Sequence, residues 1–373
     1  MTAPSGSQTP LRVALAAGGT GGHVFPAEAL AGVLSARGAE LVLVTDRRGE
    51  TYGGTLGTLE TVRIRAGGVA GRGLAGRLSG ALNLARGYFE ARRFLKTWRP
   101  DVVVGFGGYA SLPPLLAASR LGLPTVIHEQ NAIPGRANRM LAPRVRRVAT
   151  GFPQEKPAAG IETVLTGMPV RPAVLALRDT PYEAAAVDGP FELLVTGGSQ
   201  GAQVFSDLLP EALGRLSAPA RARLHITQQC RPERLEETRL RYLTLGLKAD
   251  LAPFFSDLPG RLVRSHLAVC RSGASTVGEL CVLGRPAILV PYPHAIDDHQ
   301  SANARVLDRA GGGWLMSQKD LTPALLAARI EALMGAPDDL SRAAAAARSL
   351  ALPDAADRLA DLVFDTAREG ARR

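Results

Sequence analysis

Three times the chain passes from a short apolar, β-branched stretch straight into paired glycines and then into helix-forming sequence. Leu11–Ala16 leads into Gly18-Gly19-Thr20-Gly21-Gly22-His23, Asp101–Gly105 into Gly107-Gly108-Tyr109-Ala110-Ser111, and Phe191–Thr196 into Gly197-Gly198-Ser199-Gln200-Gly201-Ala202. A buried strand, a glycine turn and a helix in that order are the unit of a doubly wound parallel sheet. Helices are expected over Pro26–Arg37, Pro113–Arg120 and Val204–Leu216, where apolar residues recur at helical spacing. Strands are expected at Glu40–Thr45, Pro124–His128, Leu224–Thr227, Leu267–Cys270 and Ala287–Val290. Because the pattern restarts in the second half, the chain reads as two Rossmann-like domains facing a cleft. With 373 residues and 46% hydrophobic content it can fill two cores. The Pro-, Gly- and Ala-rich stretch from Gly151 to Pro190 suits a linker with a hinge near Gly167–Arg171. The expected division is 1–167, 168–352 and a C-terminal helical segment 353–373, in which Ala355–Ala367 is amphipathic and packs back across the join.

Glycines after parallel strands also bear on function. They let the backbone approach a ligand, and the helix N-terminus that follows offers unpaired N–H groups to an anion. Three such loops in two halves point to two phosphorylated ligands, although each alone is also what tight strand-to-helix packing requires. A dinucleotide enzyme is the main rival, since Asp46 ends the second strand where a ribose-binding acid belongs. The first loop lacks Gly-x-Gly-x-x-Gly spacing, however, and no loop ends in the Gly-Lys-Ser/Thr of a P-loop. In the second half, Arg271-Ser272-Gly273-Ala274-Ser275-Thr276 opens another helix that can face a phosphate. Glu279 follows on that helix, as a ribose ligand or as an acid favoured by the helix dipole. The polar run from Pro291 to Ala304 suits a hydroxyl-rich ligand such as a sugar. Its His294, Asp297 and His299 are weak metal-ligand candidates without cysteine support, and no metal is expected.

Charge separates the halves. The net formal charge is +10, yet residues 1–170 contain 20 basic and 10 acidic residues, whereas 171–373 contain 24 of each. Nucleic acid, an anionic membrane and a phosphorylated substrate would all attract such a surface. Residues 61–100 hold nine basic residues and one acid, Glu90, interleaved with Leu74, Leu78, Leu82, Tyr88, Phe89, Phe94 and Trp98. This reads as an interfacial membrane patch in the Gly67–Gly80 loop, while Tyr88–Trp98 reads rather as the core face of an amphipathic helix with a solvated arginine face. No nucleic-acid-binding motif accompanies the charge. Cys230, Cys270 and Cys281 form no Cys-x-x-Cys pair, which argues for a reduced compartment. Met1–Pro10 lacks the features of a signal peptide, and the longest uncharged stretch, Val102–Ser119, is broken by Gly and Pro, so no membrane span is expected.

In order and spacing, Gly18-Gly19-Thr20-Gly21-Gly22-His23-Val24-Phe25-Pro26, Gly107-Gly108-Tyr109-Ala110-Ser111, His128-Glu129-Gln130-Asn131, Gly197-Gly198-Ser199-Gln200-Gly201-Ala202 and Asp298-His299-Gln300 resemble the MurG family. These are the bacterial peptidoglycan N-acetylglucosaminyltransferases that convert lipid I to lipid II. The resemblance runs from Gly18 to the C-terminal helix and implies an α/β GT-B fold. It implies UDP-N-acetylglucosamine as donor, with Arg171 and Ser199 at the diphosphate, Ala274, Ser275, Thr276 and Glu279 around the ribose and phosphate, Gln300 at the sugar, and the backbone of Phe255 at uracil. Thr20, Gly21, Gly22 and Asn131 would reach the donor from the other domain. Gly18, Gly19, His23, Gly107, Gly108, Tyr109 and Ser111 would hold the acceptor diphosphate. The reaction implied is an inverting transfer to the muramyl 4-hydroxyl of undecaprenyl-diphosphate-linked MurNAc-pentapeptide, with His23 and Glu279 as the catalytic residues and no cofactor or metal. His23 is the candidate base, or else a hydrogen-bond partner of the acceptor phosphate. Peripheral attachment to the cytoplasmic face of the plasma membrane, and other cell-wall synthesis and division proteins as partners, are implied too. Two departures stand out: Met168 replaces the family's usual Asn before Pro169, and His299 stands where some members have Gln. Another glycolipid acceptor, an NAD-dependent oxidoreductase and a non-catalytic nucleotide-sugar or nucleic-acid binder are the alternatives, and the retained Glu279 and Gln300 favour a working donor site.

Overall fold

The structure, a computed structural model, describes residues 10–19, 21–47, 53–67, 74–154, 162–198 and 202–371. Thr20 and Ser199, both expected at the donor, lie outside the described residues, as do Gln200 and Gly201 of the third glycine loop.

Two compact units form. The first takes the described residues through Gln130, Pro134–Pro169 and the C-terminal segment from Asp354; the second takes Asn131–Ile133 and Val170–Pro353. In the first unit β1 (Arg12–Ala16), β2 (Glu40–Asp46), β3 (Glu60–Ile64), β4 (Val102–Gly105), β5 (Thr125–Glu129), β6 (Arg147–Thr150) and β7 (Thr163–Leu165) make one sheet in the order β3-β2-β1-β4-β5-β6-β7. Every pairing in it is parallel. In the second unit β8 (Phe191–Thr196), β9 (Leu224–Gln229), β10 (Ala249–Ala252), β11 (Leu267–Cys270), β12 (Ala287–Leu289) and β13 (Gly313–Leu315) form a parallel sheet ordered β10-β9-β8-β11-β12-β13.

The central strands are apolar on both faces because helices cover both. Val13, Leu15, Val102 and Val104 face one layer, while Ala14, Ala16, Val42 and Val44 face the other. The helix Ala355–Ala371 belongs to the first layer and inserts Leu359, Ala360 and Val363 against the helix Gly21–Ala36. Each fully buried Leu or Val there contributes about 1.5–3 kcal/mol. Arg37 reinforces the contact through Asp357 and Asp361 at 2.6 and 2.5 Å, and the two carboxylates hold its guanidinium pKa above the usual value.

Several boundaries differ from the sequence reading for local reasons. The helix expected from Pro26 begins at Gly21, and the one expected from Pro113 begins at Gly108. In both, proline occupies the second turn, Pro26 in the first and Pro113-Pro114 in the second, and each removes one backbone donor without ending a helix already anchored on the sheet. Residues 74–80, expected within a loop, are the start of a 25-residue helix, Leu74–Trp98. That helix passes so close to the chain after β3 that a Cβ at Gly87 would overlap the Arg65 carbonyl oxygen. The linker region contains β7 and the short helix Pro172–Leu175. Tyr88, Phe94 and Trp98 pack on the core, whereas Phe89 turns outward, 66% exposed.

Candidate functional site

Strand order reverses between β1 and β4 in the first sheet and between β8 and β11 in the second. At such a switch point the flanking helices leave on opposite faces and a crevice opens beyond the strand ends. The loops at Gly18, Gly107, Gly197 and Arg271 follow the strands that flank these two points, whereas Asn131, Phe255 and Gln300 follow other strands. Register brings each pair of strands to a common edge, with Ala16 opposite Gly105 and Thr196 opposite Cys270.

In the first unit the helices Gly21–Ala36 and Gly108–Arg120 start at that edge, so the first-turn N–H groups of Gly21, Gly22 and His23, and of Gly108 and Tyr109, are of the kind that bind anions. Gly18 is required by packing: a Cβ there would lie 2.9 Å from both the Ala110 Cβ and the Thr45 Oγ1. Gly107 and Gly108 adopt φ of 81° and 68°, which a side chain would oppose. His23 is in the first turn of its helix, not in a loop, and its ring lies against Gly108, whose Cβ would come within 3.4 Å of it. Tyr109 is half-buried beside it.

Ser111 is a correction. It is fully buried, and its Oγ lies 2.6 Å from the Ala16 carbonyl and 2.7 Å from that of Gly107. The hydroxyl ties the helix to the end of β1 and is not presented to an acceptor.

The His128-Glu129-Gln130-Asn131 stretch ends β5 and divides its labour. The Glu129 carboxylate accepts from the Gly135 N–H and from Asn138 Nδ2, both at 2.8 Å, which shapes the following turn. His128 is completely buried with Nε2 3.1 Å from the Gly167 carbonyl, and burial pushes its pKa down to about 4. Gln130 Nε2 donates to the Phe106 carbonyl at 2.9 Å and to that of His128 at 3.1 Å, while Oε1 lies 3.3 Å from His23 Nδ1. Sequence reasoning missed His128 and Gln130 as site residues, because their partners are carbonyls distant in the chain.

Asn131 is a second correction. Expected to reach the donor from the first domain, it belongs to the second unit. Its Oδ1 accepts from Asn303 Nδ2 at 3.1 Å, and Asn303 Oδ1 accepts from the Ala132 N–H at 2.9 Å. Asn303 is fully buried and also donates to the Ser272 carbonyl, which locks the loop after β11.

In the second unit the helix Ala274–Leu283 opens after Gly273, with the N–H groups of Ala274, Ser275 and Thr276 in its first turn. The Ser275 hydroxyl is buried without a hydrogen-bond partner, an unsatisfied donor at an anion-binding helix end. Arg271 is occupied: it donates to the Val290 and Pro291 carbonyls and to Gln318 Oε1, and burial lowers its pKa. Gln300 is fixed in orientation, since Oε1 accepts from the Tyr292 N–H at 2.9 Å, and its other end is a donating NH2 group. His299 Nδ1 lies 2.8 Å from the Ile296 carbonyl, and the residue is half-buried. The two residues before it, Asp297 and Asp298, both hold φ of 54°, a conformation non-glycine residues adopt at a cost of about 1–3 kcal/mol and which concentrates at ligand sites. Phe255 is buried, its ring under the Arg261 guanidinium at 4.2 Å and its carbonyl taken by the Leu258 N–H at 3.3 Å.

Arg171, expected at the donor diphosphate, is paired with a carboxylate of its own unit. Its guanidinium forms a two-pronged pair with Glu279, Nε to Oε1 at 2.8 Å and Nη2 to Oε2 at 2.9 Å. The Glu279 side chain is 8% exposed and that of Arg171 23%. The arginine thus orients the Glu279 carboxylate, and each carboxylate oxygen keeps a second lone pair for a further donor. Among the described residues no group of three or more His, Cys, Asp or Glu side chains is arranged to hold a metal ion. All three cysteines are free and buried, which pushes the Cys270 and Cys281 thiols up to about 12.

Comparison with known proteins agrees with this layout. The glycosyltransferase family 28 N-terminal domain matches residues 13–150, and the C-terminal domain of the same family matches residues 192–359. The chain belongs to glycosyltransferase family 28. A Rhodospirillum rubrum relative named UDP-N-acetylglucosamine--N-acetylmuramyl-(pentapeptide) pyrophosphoryl-undecaprenol N-acetylglucosamine transferase is 63% identical over 96% of this chain and 92% of its own length. A protein of the same name from Paramagnetospirillum magneticum is 56% identical over 96% and 97%. The crystal structure of Acinetobacter baumannii MurG superposes with a TM-score of 0.79 at 34% identity, covering 95% of this chain and all of that one. The kitacinnamycin glycosyltransferase, at 17% identity and a TM-score of 0.71, shares the fold. These family 28 domains and structural neighbours give the two Rossmann-like units a GT-B fold.

Proposed function

We propose that this family 28 enzyme transfers N-acetylglucosamine from UDP-N-acetylglucosamine to the muramyl 4-hydroxyl of lipid I, undecaprenyl-diphosphate-linked MurNAc-pentapeptide, giving lipid II. The observation that carries the reading is the nucleotide-type strand end in the second unit. There an anion-binding helix start with an unsatisfied Ser275 hydroxyl is followed by the oriented carboxylate of Glu279, in a chain 63% identical to a protein named for that transfer.

In this reading the donor diphosphate lies at the Ala274–Thr276 N–H groups, the ribose hydroxyls on Glu279, and the sugar at the Gln300 amide. The first-turn amides of the helices at Gly21 and Gly108 take the acceptor diphosphate. His23 Nε2 accepts the proton of the 4-hydroxyl as its oxygen bonds to the anomeric carbon, the bond from that carbon to the phosphate oxygen breaks, and UDP departs with the electron pair. The barrier falls through positioning and through helix N–H groups that meet the charge developing on the diphosphate. The reaction runs without a metal or cofactor.

Membrane attachment is part of the same proposal. The helix Leu74–Trp98 turns one face outward, with Leu78, Leu82 and Phe89 74%, 50% and 66% exposed and Arg86, Arg93 and Lys96 exposed on the same side. Apolar side chains beside cations suit an anionic interface, at about 1 kcal/mol per basic residue near the surface. Among the described residues no helix is long and apolar enough to cross a membrane. The enzyme is thus read as a peripheral protein of the cytoplasmic membrane face, where its lipid-linked acceptor resides.

The base assignment is tested by His23→Asn. Turnover should fall by about 10²-fold or more, the usual contribution of a general base. Near-normal turnover with an unchanged acceptor KM would remove His23 from both catalysis and acceptor binding.

A further inference from the structure

Two buried side chains that have no place in the transfer itself form a connected path to His23. His128 Nε2 faces a carbonyl, that of Gly167, so the ring carries its proton on Nε2 and offers Nδ1 as an acceptor. Gln130 Nε2 lies 3.3 Å from that Nδ1 and within 3.1 Å of two carbonyl oxygens, those of Phe106 and His128. With three acceptors on one side, the amide has one tenable orientation, because a flip would set Oε1 against two carbonyl oxygens in a buried pocket. Oε1 is therefore the atom 3.3 Å from His23 Nδ1, and an amide oxygen can only accept there.

We propose that Gln130, itself oriented by His128 and the Phe106 carbonyl, is a positioning residue that holds His23 in the Nδ1–H tautomer and so places the basic lone pair on Nε2. The inference rests on His23 being the base. A neutral amide is suited to the task. It selects the tautomer as a carboxylate would, without the negative charge that would hold the imidazole protonated and unavailable as a base. The buried, neutral His128 gives the amide an acceptor that does not turn into a competing donor in the working pH range, since burial keeps its pKa near about 4.

The test uses the full chain labelled with 15N-histidine, whose six histidines are few enough to resolve, with His23→Asn identifying the His23 signals. Long-range 1H–15N spectra at about pH 8, well above the ordinary histidine pKa of about 6.5, report the tautomer of each neutral ring. His23 should appear as the Nδ1–H form in the natural protein, and a dominant Nε2–H form there overturns the proposal without any variant. In Gln130→Met, which keeps side-chain length but has no amide, His23 should lose its Nδ1–H preference. In the same variant kcat should fall at least about tenfold, with the KM for UDP-N-acetylglucosamine within about twofold. A fall in kcat with the tautomer unchanged refutes the positioning role, as does an unchanged tautomer with unchanged kcat. A changed tautomer with unchanged kcat supports the orientation by Gln130 and refutes His23 as the base.

Discussion

Removing the Arg171 guanidinium while leaving Glu279 in place isolates what the two-pronged pair does. Arg171→Ala strands a carboxylate whose side chain is 8% exposed and whose two oxygens were each within 2.9 Å of a charged donor. Breaking a buried ion pair from one side costs about 3–5 kcal/mol. The 23% exposure of Arg171 admits water to the gap, which places the cost near the lower end, at about 3 kcal/mol. For a unit of this size, that corresponds to a fall in Tm of about 6–12 °C. The transition to follow is the one that UDP raises, because ligand linkage marks the unit that binds it. Glu279→Leu on the Arg171→Ala background removes the stranded charge and should recover more than half the loss, giving a coupling energy of about 2 kcal/mol. If Arg171 instead contacts only the donor diphosphate, Arg171→Ala raises the donor KM and leaves Tm unchanged. A stability loss under about 0.5 kcal/mol, or strictly additive single substitutions, would refute the pair.

Two further outcomes follow from the first unit. The unfolded chain binds a proton at His128 near pH 6.5 while the folded chain resists it until about 4, so stability is fully present above 6.5 and declines as pH falls through that window. At pH 5 the loss from this group is about 2 kcal/mol, and in His128→Asn the slope of stability against pH between 6.5 and 4 should flatten; an unchanged slope would show that His128 is not buried as a neutral ring. Joint replacement of Leu78, Leu82 and Phe89 by Glu should weaken sedimentation with anionic vesicles at low salt by at least about tenfold while soluble-acceptor turnover persists, and unaltered vesicle binding would place the membrane contact elsewhere.

The central strands were legible in the sequence because burial on both faces leaves a continuous apolar signature, as in Phe191–Thr196 and Leu267–Cys270, whose ends coincide with the observed strands. The outlying strands β3, β7, β10 and β13 were not, because short strands near a sheet margin, such as Glu60–Ile64 with Arg63 and Thr61 within it, carry mixed residues. Helix starts at Gly21 and Gly108 were obscured by glycines of poor helix propensity and by prolines that resemble a first position. For the site, the chain shows which residues offer phosphate- and sugar-binding chemistry, since glycines, hydroxyls and carboxylates after strands have few other uses together. It does not show who holds whom. Arg171 and Glu279 are 108 residues apart, Asn131 and Asn303 are 172, and His23 and Gln130 are 107. Only the folded chain brings each pair together.

The transfer itself is the most direct test. UDP-N-acetylglucosamine labelled in the sugar is supplied with a lipid I analogue in excess EDTA, and the lipid product is resolved. A lipid-linked disaccharide and stoichiometric UDP should form. No disaccharide under these conditions from protein shown to bind UDP would contradict the proposed transfer.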